Sequence, residues 1–274
     1  KIGQHILGRF QMSLPGSFQA TKKDGTIYYR SSITYKNKHI SLGSFSTDKE
    51  AHLAYVEANT ILSDINITLD DFHAQESVMS FEKWVVLINF RDNKIYFNTP
   101  IYVRPKFFYY YLTHKTRLIF DIDDLFFYSS RKISHRGGHF FVADYGMQLN
   151  IHARYGIKNY AVLGKDYRFI NGDIYDYRYE NIEILNSYYG VSLVEYDKGK
   201  KYCAKLHLHG NYTIGYYETA LEAAIAYNKA IDIVKRKGCT KNFMLNEMEG
   251  ISPSMYADVY SKCHISKSIF EYEL

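Results

Sequence analysis

The chain has 274 residues, 46% of them hydrophobic and 23% charged, a balance that excludes disorder over most of its length and leaves room for two domains or several small ones. A formal charge of +5 permits a polyanionic partner without demanding one, and no stretch approaches the roughly 20 apolar residues of a bilayer span or the apolar core of an export signal. Cys203, Cys239 and Cys263 are widely spaced and form no Cys-x-x-Cys pair, which argues against a disulfide frame or a thiolate zinc site and makes the cytoplasm the expected compartment (the nucleoid, for a bacterial or phage protein).

From the N-terminal side, "YRSSITY" (Tyr29 to Tyr35) alternates, placing Tyr29, Ser31, Ile33 and Tyr35 inward and Arg30, Ser32 and Thr34 outward. A hairpin turn around Lys36 to Lys38 leads into a short strand, Ile40 to Leu42. Thr47, with Glu50 three residues on, has the capping-box spacing for a helix that carries Ala51, Ala54, Tyr55 and Ala58 on one face. Between residues 66 and 114, "FEKWVVLINFRDNKIYFNTPIYVRPKFFYYYL" predicts strands with turns at Asp92-Asn93 and around Pro100. Its aromatic residues suit stacking on bases or contact with a protein partner, although core packing is their commoner fate. An acidic stretch, Asp121 to Leu125, precedes a glycine-started strand, Gly138 to Val142, and then "GKDYRFINGDIYDYRYENIEILN" (Gly164 to Asn186). In the last third, "YCAKLHL" points Tyr202, Ala204, Leu206 and Leu208 inward and Lys205 and His207 outward. A strand at Tyr212 to Ile214 follows, then a helix capped by Thr219 and Glu222, and a short helix at Met255 to Cys263.

The first and last of these regions are copies of one pattern. "ISLGSFSTDKEAHLAYVEA" matches "YTIGYYETALEAAIAYNKA" at a constant offset of 172 positions, Thr47 to Thr219, with a one-residue slip upstream that belongs in the hairpin turn. A three-stranded antiparallel sheet backed by one helix, with "LGSFSTDKEAHLAY" and the more divergent "IGYYETALEAAIAY", resembles the APETALA-type (ERF-type) DNA-binding domain. The resemblance implies that the sheet, not the helix, enters the major groove. Arg30, Ser32, Thr34, Lys36 and Lys38 of the first copy and Lys205 and His207 of the second would then be the DNA-contacting residues, with Arg30 suited to a guanine edge.

The segment from Thr116 resembles the HNH homing-endonuclease core in order and spacing: the acidic lead-in, the strand at Gly138, "NIHAR", "INGD" and "D-x-R-x-x-NI". ERF-type domains accompany such nucleases, so the two resemblances support each other. In the family's "D-H-x-N-G-D" the aspartate holds a metal and the histidine is the general base; here those positions are Arg168 and Phe169. Arginine repels a metal and phenylalanine accepts no proton, while the later asparagine position holds Tyr177. Asn171, Gly172, Asp173, Asp176, Arg178 and Asn181 survive as turn-shaping residues. A substitute site would have to draw on His135, His139, His152, Asp166, Asp173 and Asp176, whose spacing is not diagnostic.

The expected fold class is therefore α+β, with two ERF-like domains (1–66 and 188–274) flanking an aromatic-rich β region (67–115) and a degenerate HNH-like ββα core (116–187). The expected function is non-catalytic, sequence-preferring binding of double-stranded DNA, in the regulation of transcription or of a mobile element. Arg168 and Arg178 add phosphate contacts, and no cofactor and no membrane are expected. The alternatives are an active HNH-type endonuclease with an atypical magnesium site, and a protein-binding inhibitor of a nucleic-acid enzyme built on a nuclease-derived scaffold.

Overall fold

The computed structural model describes residues 14–144, 146–159, 161–196 and 199–273. The first thirteen positions of the expected first domain lie outside the described residues. The fold is mixed α+β, with several small three-stranded antiparallel sheets and separate helices.

The first module contains β1 (Ser17–Thr21), β2 (Ile27–Tyr35), β3 (Lys38–Phe45) and α1 (Asp48–Ser63), with the sheet in the order β1-β2-β3. Lys36 and Asn37 take positive φ (45° and 63°) in the two-residue turn between β2 and β3, the left-handed twist that a tight hairpin requires. α1 begins where the sequence places it. The Thr47 hydroxyl accepts from the Glu50 amide at 3.2 Å and Glu50 Oε2 accepts from the Thr47 amide at 3.1 Å, a capping box. Ala51, Ala54 and Ala58 are fully buried, so the helix lies close on the sheet over Ile33, Ile40 and Leu42.

The following segment departs from the expected strands. Residues Phe81–Asn93 form a helix, α2, capped at Ser80 and closed at Lys94 in a left-handed conformation. Trp84 to Arg91 are all buried, so no polar stripe marks a helical period, and a buried helix has the same continuous apolar run as a buried strand. α2 completes the first module's core with Trp84, Leu87, Ile88 and Phe90. It is fastened to α1: Trp84 Nε1 donates to Glu57 Oε1 at 2.6 Å, and Arg91 donates to the carbonyls of Ile61 and Asp64 at 2.9 and 2.6 Å, satisfying the helix C-terminus. The strands expected after Pro100 are present as β4 (Ile101–Val103) and β5 (Phe107–Tyr111), and β6 (Arg117–Asp121), which lies beyond that stretch, pairs with β5.

A short helix, α3 (Leu125–Ser129), leads to a meander of β7 (Ile133–Arg136), β8 (His139–Asp144) and β9 (Met147–Asn150). The expected ββα core is only half present. β10 (Tyr167–Phe169) and β11 (Ile182–Ile184) pair as an antiparallel hairpin, but no α-helix follows. The chain passes instead into β12 (Val191–Tyr196), because Asn186 is held by Asp166 and by the Val191 carbonyl.

The second module consists of β12, β13 (Gly199–His207), β14 (Asn211–Tyr217) and α4 (Ala220–Arg236), again with a capping box, here Thr219 with Glu222. The helices α5 (Pro253–Lys262) and α6 (Lys267–Phe270) end the chain, with Ile265, Ile269 and Tyr272 buried in this module's core. By its contacts the chain divides into two compact units, residues 1–136 with 141–148 and 175–178, and residues 137–140, 149–174 and 179–274.

Candidate nucleic-acid interface

Each module has a closed face under its helix and an open face on the other side of the sheet. In the first, register places Phe18, Arg30 and Ser44 in one row, Ser32 beside Ser41, and Thr34 beside His39. Leu42 is the extra residue of a β-bulge between the pairs Ser31–Gly43 and Ser32–Ser41, which keeps Ser41 and Ser44 on the open face. Arg30 is exposed, 5.9 Å over the Tyr28 ring, and has no ion-pair partner among the described residues. Thr34 is exposed and Ser32 half-buried. Lys36 lies in the turn, 5.1 Å over Tyr35, and Lys38 lies 4.9 Å over Tyr96.

The second module repeats this geometry. Ile214 is its bulged residue, between the pairs Ala204–Gly215 and Lys205–Thr213. Lys205 is exposed and without an ion-pair partner among the described residues, and His207 is exposed with Nδ1 2.9 Å from Asn211 Oδ1. Lys201 is exposed on the same face and pairs with Glu218 at 2.8 Å. The position that corresponds to Arg30 holds Cys203, in register with Ser192 and Tyr216 and only 1% exposed; burial pushes its thiol up in pKa.

Both modules also share a contact with no signal in the repeat alignment. Gly16 and Gly190, each just before the first strand of its sheet, have φ of 75° and 68° and lie flat under the rings of Tyr55 and Tyr227. A Cβ at Gly16 would come within 2.1 Å of the Tyr55 ring, and one at Gly190 within 2.3 Å of the Tyr227 ring. Two open-face residues escaped the sequence reading for a related reason. Phe18, 57% exposed and directly opposite Arg30, lies on a first strand whose two versions, "SFQAT" and "VSLVEY", share almost nothing; Lys201 lies beyond the matched strand.

The residues at the nuclease-like positions are held in other ways. Phe169 is 7% exposed and Tyr177 2% exposed, both with core side chains. Arg168 projects from β10 and pairs across the hairpin with Glu183, Nε to Oε2 at 2.5 Å. Arg178 bonds the buried Asp176 through Nε at 2.9 Å and a terminal nitrogen at 2.6 Å. Asn171 Oδ1 accepts from the Asp173 amide and Asn181 Oδ1 from the Asn171 amide, both at 2.8 Å, so these residues build the turn. Asp166 accepts from the Val162 amide at 2.8 Å and from Asn186 at 3.0 Å. His152 is buried beside Tyr167 and His139, and burial first, then His139, pulls its pKa down to about 4. A magnesium ion of the nuclease kind does not fit this donor set. Arg168 and Phe169 stand at the positions that the resemblance assigns to ligand and base, and Asp176 is paired with Arg178. Among the described residues no group of three His, Cys, Asp or Glu side chains has metal-binding geometry, and no helix is long and apolar enough to cross a membrane.

No family model, curated protein or solved structure matches the chain.

Proposed function

We propose that this protein is a non-catalytic, sequence-preferring binder of double-stranded DNA that uses the open faces of its two sheets, in the control of transcription or of a mobile element. The observation that carries this reading is the repeated geometry: two sheets with the same bulge, the same glycine–tyrosine contact and the same capped helix leave Arg30 and Lys205 exposed, and unpaired among the described residues, on equivalent faces. A two-stranded or three-stranded β surface is narrow enough to enter a major groove, and an arginine free of internal partners keeps its bidentate donors for a guanine edge. Phe18, beside Arg30, offers an apolar contact of the kind thymine methyl groups receive. Arg168 pairs with Glu183 on the surface and Arg178 with the buried Asp176, so they stand as secondary phosphate contacts beside the unpaired cations of the sheets. Joined on one chain, two weak modules gain by effective concentration.

Selection of bound sequences from random duplex DNA, with and without magnesium, tests this. The expected result is a bipartite motif recovered equally in both conditions, with the DNA intact. Recovery of no motif, or magnesium-dependent cleavage within it, overturns the reading.

A further inference from the structure

The sheet β4-β5-β6 has one sealed face and one unusual face. Ile101, Phe108, Tyr110, Leu118 and Phe120 are at most 1% exposed on the inner side. On the outer side Tyr102, Tyr109 and Ile119 share one row, with Phe107 and Tyr111 on either side of Tyr109 along β5. Guanidinium groups lie over these rings: Arg117 at 4.1 Å and Arg104 at 6.0 Å from the Tyr109 centroid, Arg104 also 4.9 Å from Tyr102, and Arg178 5.7 Å from Phe107. Arg104 and Arg117 are both exposed, and neither has a carboxylate within ion-pair distance among the described residues. They rim a cleft of about 450 Å³ that Tyr102 and Tyr111 also line. The cleft is braced, since the Tyr102 hydroxyl donates to Asp92 at 3.0 Å and Arg91 is committed to α1 carbonyls.

We propose that this cleft is a binding site for single-stranded nucleic acid, distinct from the duplex-facing sheets. Arg104 and Arg117 would take the phosphates, and an unpaired base would stack on the tyrosine and guanidinium planes. Three features favour that ligand. Aromatic rings interleaved with guanidiniums on one sheet face supply stacking planes and charge together, the combination that tolerates any base. The cleft volume suits one nucleotide-sized group and is far too small for a duplex. The two guanidiniums form no ion pair among the described residues, although Asp70 and Asp92 line the same cleft and Asp92 is engaged by Arg91 and Tyr102, so their charge-assisted donors are left for phosphate oxygens. The inference does not rest on the duplex-binding proposal.

The test is fluorescence anisotropy with labelled oligodeoxyuridylate and oligouridylate of about ten nucleotides, which share one base and differ only in the sugar. The wild-type protein should bind at least one of them at low salt, the tighter of the two naming the sugar. R104Q/R117Q should weaken binding by about tenfold or more, and R104K/R117K, which keeps the charge but not the plane, should restore only part of it. Arg30→Ala should leave this binding unchanged, so failure of the duplex reading and failure of this one are separable. The proposal is overturned if wild-type protein binds neither oligonucleotide, if R104Q/R117Q or R104K/R117K binds as wild type does, or if polyglutamate displaces the label as well as unlabelled oligonucleotide does.

Discussion

Position for position, the first module presents Arg30, Ser32 and Thr34 along the outer face of its central strand where the second presents Cys203, Lys205 and His207. Beneath that face the two are nearly interchangeable: Ala51, Ala54 and Ala58 correspond to Ala223, Ala226 and Ala230, the capping boxes coincide, and the bulges fall at Leu42 and Ile214. Close packing of a helix on a sheet tolerates only small residues at the contact, so the inner pattern is constrained by sterics, whereas an open face is free to vary with whatever it touches. The free cation therefore sits at different points of the same scaffold, at Arg30 in one copy and at Lys205 in the other. Two modules with one skeleton and different faces suit two different half-sites.

The largest expected effect comes from the contact that both modules share. Gly190→Ala places a methyl group against the Tyr227 ring and 2.5 Å from the Lys205 carbonyl at a φ of 68°. It should cost roughly 2–4 kcal/mol in denaturant unfolding. At Gly16 the three atoms nearest the new methyl all belong to the Tyr55 side chain, so Gly16→Ala should cost less, because a side chain yields more readily than backbone. Equal and negligible costs would mean that these glycines do not set the approach of helix to sheet.

A second expected effect separates the units by pH. His152, in the second unit, has its folded pKa lowered by burial to about 4 from the ordinary imidazole value of 6.5. Between those values the unfolded chain binds the proton and the folded chain does not, so stability is fully present above about pH 6.5 and falls as the pH drops toward 4. The loss should be on the order of 2 kcal/mol after discounting for solvent screening, measured as a shift in the urea midpoint of the second unit. His152→Gln should flatten that slope, and an unchanged slope in the variant would assign the effect to other groups.

Much of the repeat was legible in the sequence because its signals are local. A Thr-x-x-Glu capping box, a hairpin turn and alanines on one helix face each depend on a few neighbouring residues, and each was found where the pattern put it. What escaped depends on partners distant in sequence. The stretch Trp84 to Arg91 of α2 is buried throughout, chiefly against α1 and β4, so it carries no amphipathic period to distinguish it from a strand. Cys203 alternates outward with Lys205, yet is covered by its surroundings, and nothing in a two-residue period predicts that. The glycines under Tyr55 and Tyr227 precede strands too dissimilar to align. At the candidate interface the central strand's outward residues were legible and their neighbours Phe18 and Lys201 were not, since these need strand pairing to be placed.

A smaller effect sharpens the comparison at one buried row. Ser17 and Ser31 face each other in the first sheet with both hydroxyls buried and without a hydrogen-bond partner among the described residues, and the second sheet has Val191 and Ala204 there. Ser31→Ala should stabilise the first module by about 1 kcal/mol, and Ala204→Ser should destabilise the second by a similar amount, both read from urea unfolding. Opposite signs would show that the buried serines are bonded in the protein and that the two cores are less alike than their register suggests.

The central claim, that two sheets grip one duplex through exposed cations, is tested most directly by duplex affinity across a salt series for the wild-type protein, Arg30→Ala, Lys205→Ala and the double variant. A surface contacting several phosphates must release counterions, so log Kd should rise steeply with log salt, and each single variant should weaken binding. Arg30→Ala should in addition lose roughly 1–3 kcal/mol of discrimination at one base pair of the site. An affinity that stays flat between low and physiological salt, or a double variant that binds as the wild type does, would contradict the account.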